Sequence, residues 1–418
     1  MYIQTRAARI RSLLGFVSVF GLSQVAQVHA QQATQLASGA NHNCVRMSDG
    51  TARCWGQNTE GQLGDGTNDE SAAPVTVQGL SNVTLVSAGD QHTCAVAGAK
   101  VYCWGSNAEG QLGNGTTTSS NVPVAVTGIT NASAVAASAF HTCALLSDAT
   151  LRCWGMNLDG QLGDGTTIDR LTPVAVSLSG ASRVDAGFSQ TCALVASGVR
   201  CWGYNDDGQL GTGGTTPSTT PVSVSALSGV TGLGVGWDHG CALLSTGAVK
   251  CWGLNFDGQL GDGTTLTRLA PVNATGVANA TRISAGYDHS CALISDGSIL
   301  CWGTNSMGEI GDGSTGGFRS TPVKVAGSFG TILDIGVGHD HTCALQSDGA
   351  VWCWGANFAS QIGNAFVSDS PYPIRVVNLG PPAVVPSAGS WVLLLLALSL
   401  GALAAVGGVV GKRWLSVS

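Results

Sequence analysis

The chain has 418 residues, 60 of them glycine, with 10% charged residues, 6% aromatics and a formal net charge of −7. Length alone suggests two or three domains, but an internal repeat of about fifty residues overrides that expectation. With Arg6, Arg9, Arg11, Lys412 and Arg413 set aside, residues 31–380 hold 13 Lys and Arg against 25 Asp and Glu, near −12. Such a body repels nucleic acid and anionic lipid and suits solubility or a cationic partner.

The three N-terminal arginines precede an apolar stretch from Leu13 to about Leu22, and Val28-His29-Ala30 offers a small-residue cleavage site. Residues 1–30 therefore read as a secretory signal peptide. A buried helix fits less well, because the stretch is too short to span a membrane and runs into Gln31-Gln32.

Residues 31–380 are seven copies of one unit. Each runs from a small-residue stretch ending Ala/Ser-Gly through two variable residues to His-x-Cys-Ala-Leu, Ser-Asp-Gly and Cys-Trp-Gly. It then continues Asn-x-x-Gly-Gln-Leu-Gly-Asp-Gly-Thr, a variable stretch and Pro-Val-x-Val. Four short apolar runs separated by Gly, Asp and Asn predict four antiparallel strands per unit. A four-stranded sheet cannot bury both faces alone, so the units must stack, and a ring closes the stack. The predicted fold is all-β, a seven-bladed β-propeller of four-stranded blades. The first run, such as Leu85-Val86-Ser87-Ala88, is small enough for a crowded inner strand. The fourth is expected to begin at Pro74, Pro123, Pro173, Pro221, Pro271, Pro322 or Pro373, and proline lacks a ladder donor, which assigns it to an edge.

Every cysteine falls in the repeat, as seven pairs: Cys44 with Cys54, Cys94 with Cys103, Cys143 with Cys153, Cys192 with Cys201, Cys241 with Cys251, Cys291 with Cys301 and Cys343 with Cys353. Eight or nine intervening residues can bring the thiols opposite one another across strands two and three. Behind a signal peptide the thiols are expected to oxidise to one disulfide per blade; the rival is seven zinc sites from His-x-Cys and Cys. Side chains alternate along a strand, so the tryptophans next to the second cysteines (Trp55, Trp104, Trp154, Trp202, Trp252, Trp302 and Trp354) are expected to pack on one adjacent blade and the disulfides on the other. The glycines of Gly-Gln-Leu-Gly-Asp-Gly fit positions of positive φ or close approach, and no Gly-Lys-Ser/Thr follows to make a phosphate loop. Calcium at Asp65, Asp164, Asp262 and Asp312 is disfavoured, since Asn114, Thr212 and Asn364 hold the equivalent positions. No cofactor or metal is expected.

Beyond the repeats come a linker at 381–390, an uncharged stretch at 391–411 flanked by prolines and Lys412-Arg413, and a basic tail at 412–418. Length and flanks predict a membrane-spanning helix with its basic end inside. The arrangement also resembles the C-terminal sorting signals of bacterial surface proteins, which are cut and exchanged for an anchor.

The His-x-Cys-Ala-Leu, Asp-Gly and Trp-Gly-x-Asn-x-x-Gly-Gln-Leu-Gly-Asp-Gly runs resemble the repeats of the regulator of chromosome condensation family in all seven units. That resemblance implies a seven-bladed β-propeller. It does not carry over the founder's nucleotide exchange and chromatin binding, which need an intracellular location; secreted bacterial propellers of the family that bind proteins are nearer in compartment. The fourth unit has Gln190 where the others have His42, His92, His141, His239, His289 and His341, which excludes a ring of seven histidine ligands. These histidines are expected to hydrogen-bond within their own blades. The seventh unit replaces glycines with Ser360 and Ala365, as a terminal repeat can.

In a four-stranded meander the turn after strand one and the loop after strand three emerge on one side. The turn supplies Phe140, Phe188, Trp237, Asp238, Tyr287, Asp288, His339 and Asp340, and the loop supplies Tyr204 and Phe256. Aromatics beside acids suit binding to an extracellular protein or glycan; the alternative is that these rings plug the central channel. The expected function is an exported, membrane-tethered, noncatalytic interaction module at a bacterial cell surface, a monomeric propeller that binds no nucleic acid. The alternatives are a glycan-active enzyme using paired carboxylates at that mouth and a guanine nucleotide exchange factor.

Overall fold

The computed structural model describes residues 31–196 and 198–379. The predicted signal peptide, linker, membrane or sorting helix and basic tail lie outside the described residues. Among those described, no helix is long and apolar enough to cross a membrane.

Seven antiparallel sheets form, each from four consecutive strands in chain order. The first blade comprises Ala33–Ser38, His42–Met47, Ala52–Gly56 and Ser71–Thr76; the seventh comprises Ile332–Val337, His341–Gln346, Val351–Gly355 and Ser370–Arg375. The small-residue strands come together around a central channel, as their composition predicts. Side chains that reach the next blade satisfy part of their free edges. Gln35 accepts from the amide of Val86 and donates to its carbonyl, both at 2.8 Å, Ser87 accepts from Ala137 N–H at 3.0 Å, and Asp185 accepts from Val235 N–H at 2.9 Å. The outer strand differs from expectation: it begins ahead of the proline, at Ser71 in blade one and Ser370 in blade seven. Pro74 sits inside a register break between the pairs Cys54↔Val75 and Gly56↔Ser71, where a missing donor removes no ladder bond.

All seven predicted disulfides are present. Cys44 is bonded to Cys54, Cys94 to Cys103, Cys143 to Cys153, Cys192 to Cys201, Cys241 to Cys251, Cys291 to Cys301 and Cys343 to Cys353, each pair directly opposed with Cα atoms 4.1 Å apart. No cysteine is left free, so the rival arrangement of seven zinc sites has no thiolate to build on. Every cysteine is fully buried. The bridge Cys44–Cys54 packs with Leu63 against Ala95 and Trp104 of the next blade, while Trp55 packs against Cys343 and Cys353 of the blade on its other side. The expected division of faces therefore holds. Each joint thus has a fully buried indole facing a fully buried disulfide.

The Gly-Gln-Leu-Gly segment latches this joint. The carbonyl of Gln62 accepts from Trp104 Nε1 at 2.9 Å and from Thr93 Oγ1 at 2.8 Å, both on the next blade, and Gln111 repeats this with Trp154 and Thr142. Gly113 follows at φ 65° and a β-carbon there would lie 2.5 Å from Trp154 Nε1. Only glycine meets both the backbone conformation and the indole.

The histidines correct a sequence expectation in part: all six bond across blades, and His141 also bonds within its own, its Nδ1 lying 2.7 Å from Ser138 Oγ. His42 Nε2 lies 2.8 Å from Thr93 Oγ1, His92 Nε2 lies 2.9 Å from Thr142 Oγ1, and His341 Nε2 lies 3.0 Å from Asn43 Oδ1. The Thr93 hydroxyl spends its proton on Gln62, so it must accept from Nε2–H, which fixes the His42 tautomer. Burial drives five of these rings (His42, His92, His141, His239 and His289) down to about 3 and His341 to about 4, so they are neutral. The position opens the second strand at the blade's edge, where a ring reaches its neighbour more readily than its own sheet. Gln190 performs the same task by donating to Gly236 O at 3.0 Å.

Blades one and seven close the ring with no shared strand. Trp55 Nε1 and Asn43 Nδ2 donate to Gln361 O at 3.0 and 2.8 Å.

Candidate functional site

Between the inner strand and the histidine position each blade inserts a small residue, Gly or Ser, followed by a pair of variable turn residues. The first of each pair rims the channel: Ala40, Asp90, Ala139, Phe188, Trp237, Tyr287 and His339, around a cavity of about 320 Å3. The second stands behind the rim and includes Phe140, Asp238, Asp288 and Asp340.

Five predicted residues come together as one continuous stack. Phe140 meets Phe188 edge-on at 5.4 Å, Phe188 stacks on Trp237 at 4.0 Å, Trp237 meets Tyr287 at 4.2 Å, and Tyr287 meets His339 at 3.8 Å. All five are half-buried; Phe188, Trp237, Tyr287 and His339 line one side of the channel mouth, Phe140 backs them, and the stack still presents an outer surface. Mutual contact of rigid rings holds each in place at little entropic cost. The other two aromatics stand apart: Tyr204 donates to Asp206 at 3.1 Å within its own loop, and Phe256 is 67% exposed on its loop.

The carboxylates behind the rim share a framework. Gln209 and Gln259, from the latch, donate to Asp238 and Asp288, each at 3.0 Å. Burial, with Asp207 nearby, pushes Asp238 up to about 6, and burial, with Asp257, pushes Asp288 up to about 7. At the next joint the latch residue is Glu309 instead of glutamine. It is fully buried and still accepts from Met307 N–H at 2.9 Å, but it faces Asp340 as a second acid. Burial raises Glu309, with the charge of Asp340 adding to it. Burial also acts upward on Asp340, but the hydrogen bond and charge of His339, 2.8 Å away, outweigh it and hold Asp340 low. The recurrence of the latch–acid pair marks Asp238 and Asp288 as parts of the joint as well as of the mouth.

Two residues were not singled out from the sequence. Asp90 occupies the same rim position as Trp237, and Glu309 breaks the Gly-Gln-Leu-Gly pattern; aligning the seven units exposes both. The calcium candidates are committed elsewhere: Asp164 and Asp262 each cap a threonine turn and pair with Arg170 and Arg268 at 2.8 Å. Among the described residues no group of three or more His, Cys, Asp or Glu is arranged to hold a metal. The arrangement is suited to holding an apolar or cationic group between rings and carboxylates.

The chain matches the RCC1-like domain over residues 14–344 and the regulator of chromosome condensation (RCC1) repeat over residues 332–361. The ultraviolet-B receptor UVR8 of Arabidopsis thaliana is 34% identical over 71 residues, so the match spans only 16% of each chain. Prp20p of Saccharomyces cerevisiae, whose structure is described with its binding to Gsp1p and histones, superimposes with a TM-score of 0.70 at 21% identity, covering 83% of this chain and 88% of that one. The ectodomain of the Arabidopsis thaliana receptor kinase ACR4 gives a TM-score of 0.52 at 19% identity, covering 81% of this chain and 99% of that one. At these identities the structural likeness concerns the fold alone.

Proposed function

We propose that this chain, which belongs to the RCC1-like domain family, is an exported, surface-tethered and noncatalytic interaction module that binds an extracellular protein or glycan through the aromatic mouth of its propeller. The observation that carries this reading is the half-buried stack from Phe140 to His339, ringed by carboxylates, at one end of an otherwise plain channel. The residues that recur in every unit are consumed by the joints, so what distinguishes this protein from its repeat is concentrated there. Seven buried disulfides suit an oxidising compartment, which supports export.

The test is capture from extracellular material by the full oxidised chain and by a double variant carrying Trp237→Ala and Tyr287→Ala. The variant is expected to lose capture at least about tenfold, as truncation of aromatic anchors does, while its thermal unfolding stays cooperative. Unchanged capture would discard this face.

A further inference from the structure

The channel mouth is lopsided. Blades four to seven contribute Phe188, Trp237, Tyr287 and His339 to the rim, whereas blades one to three contribute Ala40, Asp90 and Ala139. The four rings pack on one another, leaving the small-residue side open over the cavity. Asp90 is the single charged rim residue on that side.

Its carboxylate is unusual among the acids of this face. Asp238 and Asp288 accept from glutamines, Asp340 from His339, and Asp185 from backbone amides. Asp90 has no hydrogen-bond or ion-pair partner among the described residues, and only its backbone amide is engaged, donating to Ser138 O at 3.1 Å. The residue is half-buried and lines the cavity, with its carboxylate left open and without a protein partner. Burial pushes it up to about 6, opposed only by the charge of His339. A half-buried carboxylate without a partner is free to pair, and a ligand that supplies the opposite charge offsets its desolvation. The rings across the mouth supply the complementary feature, because the faces of Trp and Tyr attract a cation.

We infer that the mouth seats one organic cation, the ammonium or guanidinium of a lysine or arginine side chain presented by a partner protein, with its charge on Asp90 and its apolar stem against Trp237 and Tyr287. The cavity of about 320 Å3 lies in the range of small-ligand sites and is open to a single side chain. The acidic body, near −12 over residues 31–380, draws such a partner in. This inference rests on the interaction-face reading and narrows it to a protein with a projecting basic residue.

The probes are Nα-acetyl-lysine methylamide, Nα-acetyl-arginine methylamide and the neutral Nα-acetyl-norleucine methylamide, titrated into the full oxidised chain and followed by calorimetry or indole NMR shifts. The two cationic amides are expected to bind at least about tenfold more tightly than the norleucine amide, and Asp90→Asn is expected to abolish that difference. Asp90→Asn is nearly isosteric and keeps the backbone bond to Ser138 while its side chain makes no joint contact, so a matching melting curve accompanies the result. Equal binding of the neutral amide, or wild-type affinity in Asp90→Asn, overturns the inference. These probes need no partner, so that failure is separate from failure of the capture assay, which judges the wider face.

Discussion

Trp55→Ala and Trp154→Ala remove the same residue from two joints that differ in one respect. Both indoles are fully buried and each donates to a latch carbonyl, Gln361 at 3.0 Å and Gln111 at 2.8 Å. Truncating a buried tryptophan costs about 3–5 kcal/mol, and losing the hydrogen bond adds about 1 kcal/mol. Unfolding entropy of about 2.1 cal/mol/K per residue over about 350 residues converts about 5 kcal/mol into a fall in Tm of about 7 °C for either variant. The difference lies in what else holds the joint. The strands Ser120–Ala125 and Ala132–Ala137 are joined by a short connection that keeps blades two and three together, but no backbone crosses between blades seven and one. Without that tether, a weakened closing joint can open below the global transition. Hydrogen exchange at about 20 °C below Tm is expected to rise in Ala33–Ser38 and Ile332–Val337 for Trp55→Ala, and to show no blade-selective rise for Trp154→Ala. Identical exchange maps for the two variants would refute the view that the missing backbone connection makes the closing joint the first to open.

Two further outcomes test the joints. Gly113→Ala combines a positive φ of 65° with a clash at Trp154, whereas Gly128→Ala carries a φ of 73° and meets nothing within 4 Å. The first is expected to cost about 3–4 kcal/mol and the second about 1 kcal/mol by denaturant midpoint, and equal costs would show that the indole yields. The second outcome concerns acid. His141 is held by burial at about 3 instead of 6.5, so between those values the unfolded chain binds a proton that the folded one refuses. That makes stability fall as pH drops through this window, by up to about 1.4 kcal/mol per unit for each such ring. The carboxyls raised by burial, Asp185 and Asp288 among them, act in the opposite sense at pH values below their own raised positions. His141→Gln, for which Gln190 is the internal precedent, is expected to lower proton uptake on unfolding at about pH 5 by about one, read from the pH dependence of the unfolding free energy; an undiminished uptake would mean that this ring is not the acceptor.

The architecture was legible because it is written seven times. Period gives blade number, the Cys-Trp alternation gives the two faces of each joint, and proline marks the outer edge. The histidine partners were not legible, since the hydrogen bond from His42 to Thr93 runs from the histidine position of one unit to the residue after the histidine in the next, and a period carries no information on whether a contact stays within a unit or skips to the next. The site was legible in part. Phe188, Trp237, Tyr287 and His339 stand out as rings in a variable turn, and the structure adds that they touch. Asp90 is one acid among many in the sequence and becomes distinctive only when its neighbours' partners are counted. Phe256 shared the aromatic signal but stands apart from the stack, because residue type does not reveal direction in a loop.

Each blade is a contiguous stretch of chain, and each connection runs from one outer strand to the next inner strand. A tandem duplication of one unit would therefore insert a whole blade bearing half of each of two joints, with no existing pairing to sever. In rings whose ends share a sheet, the termini are committed to each other and copy number is constrained by that match. Here the ends are interchangeable with any other boundary, so new termini could be cut at another inter-blade connection and the old ones ligated.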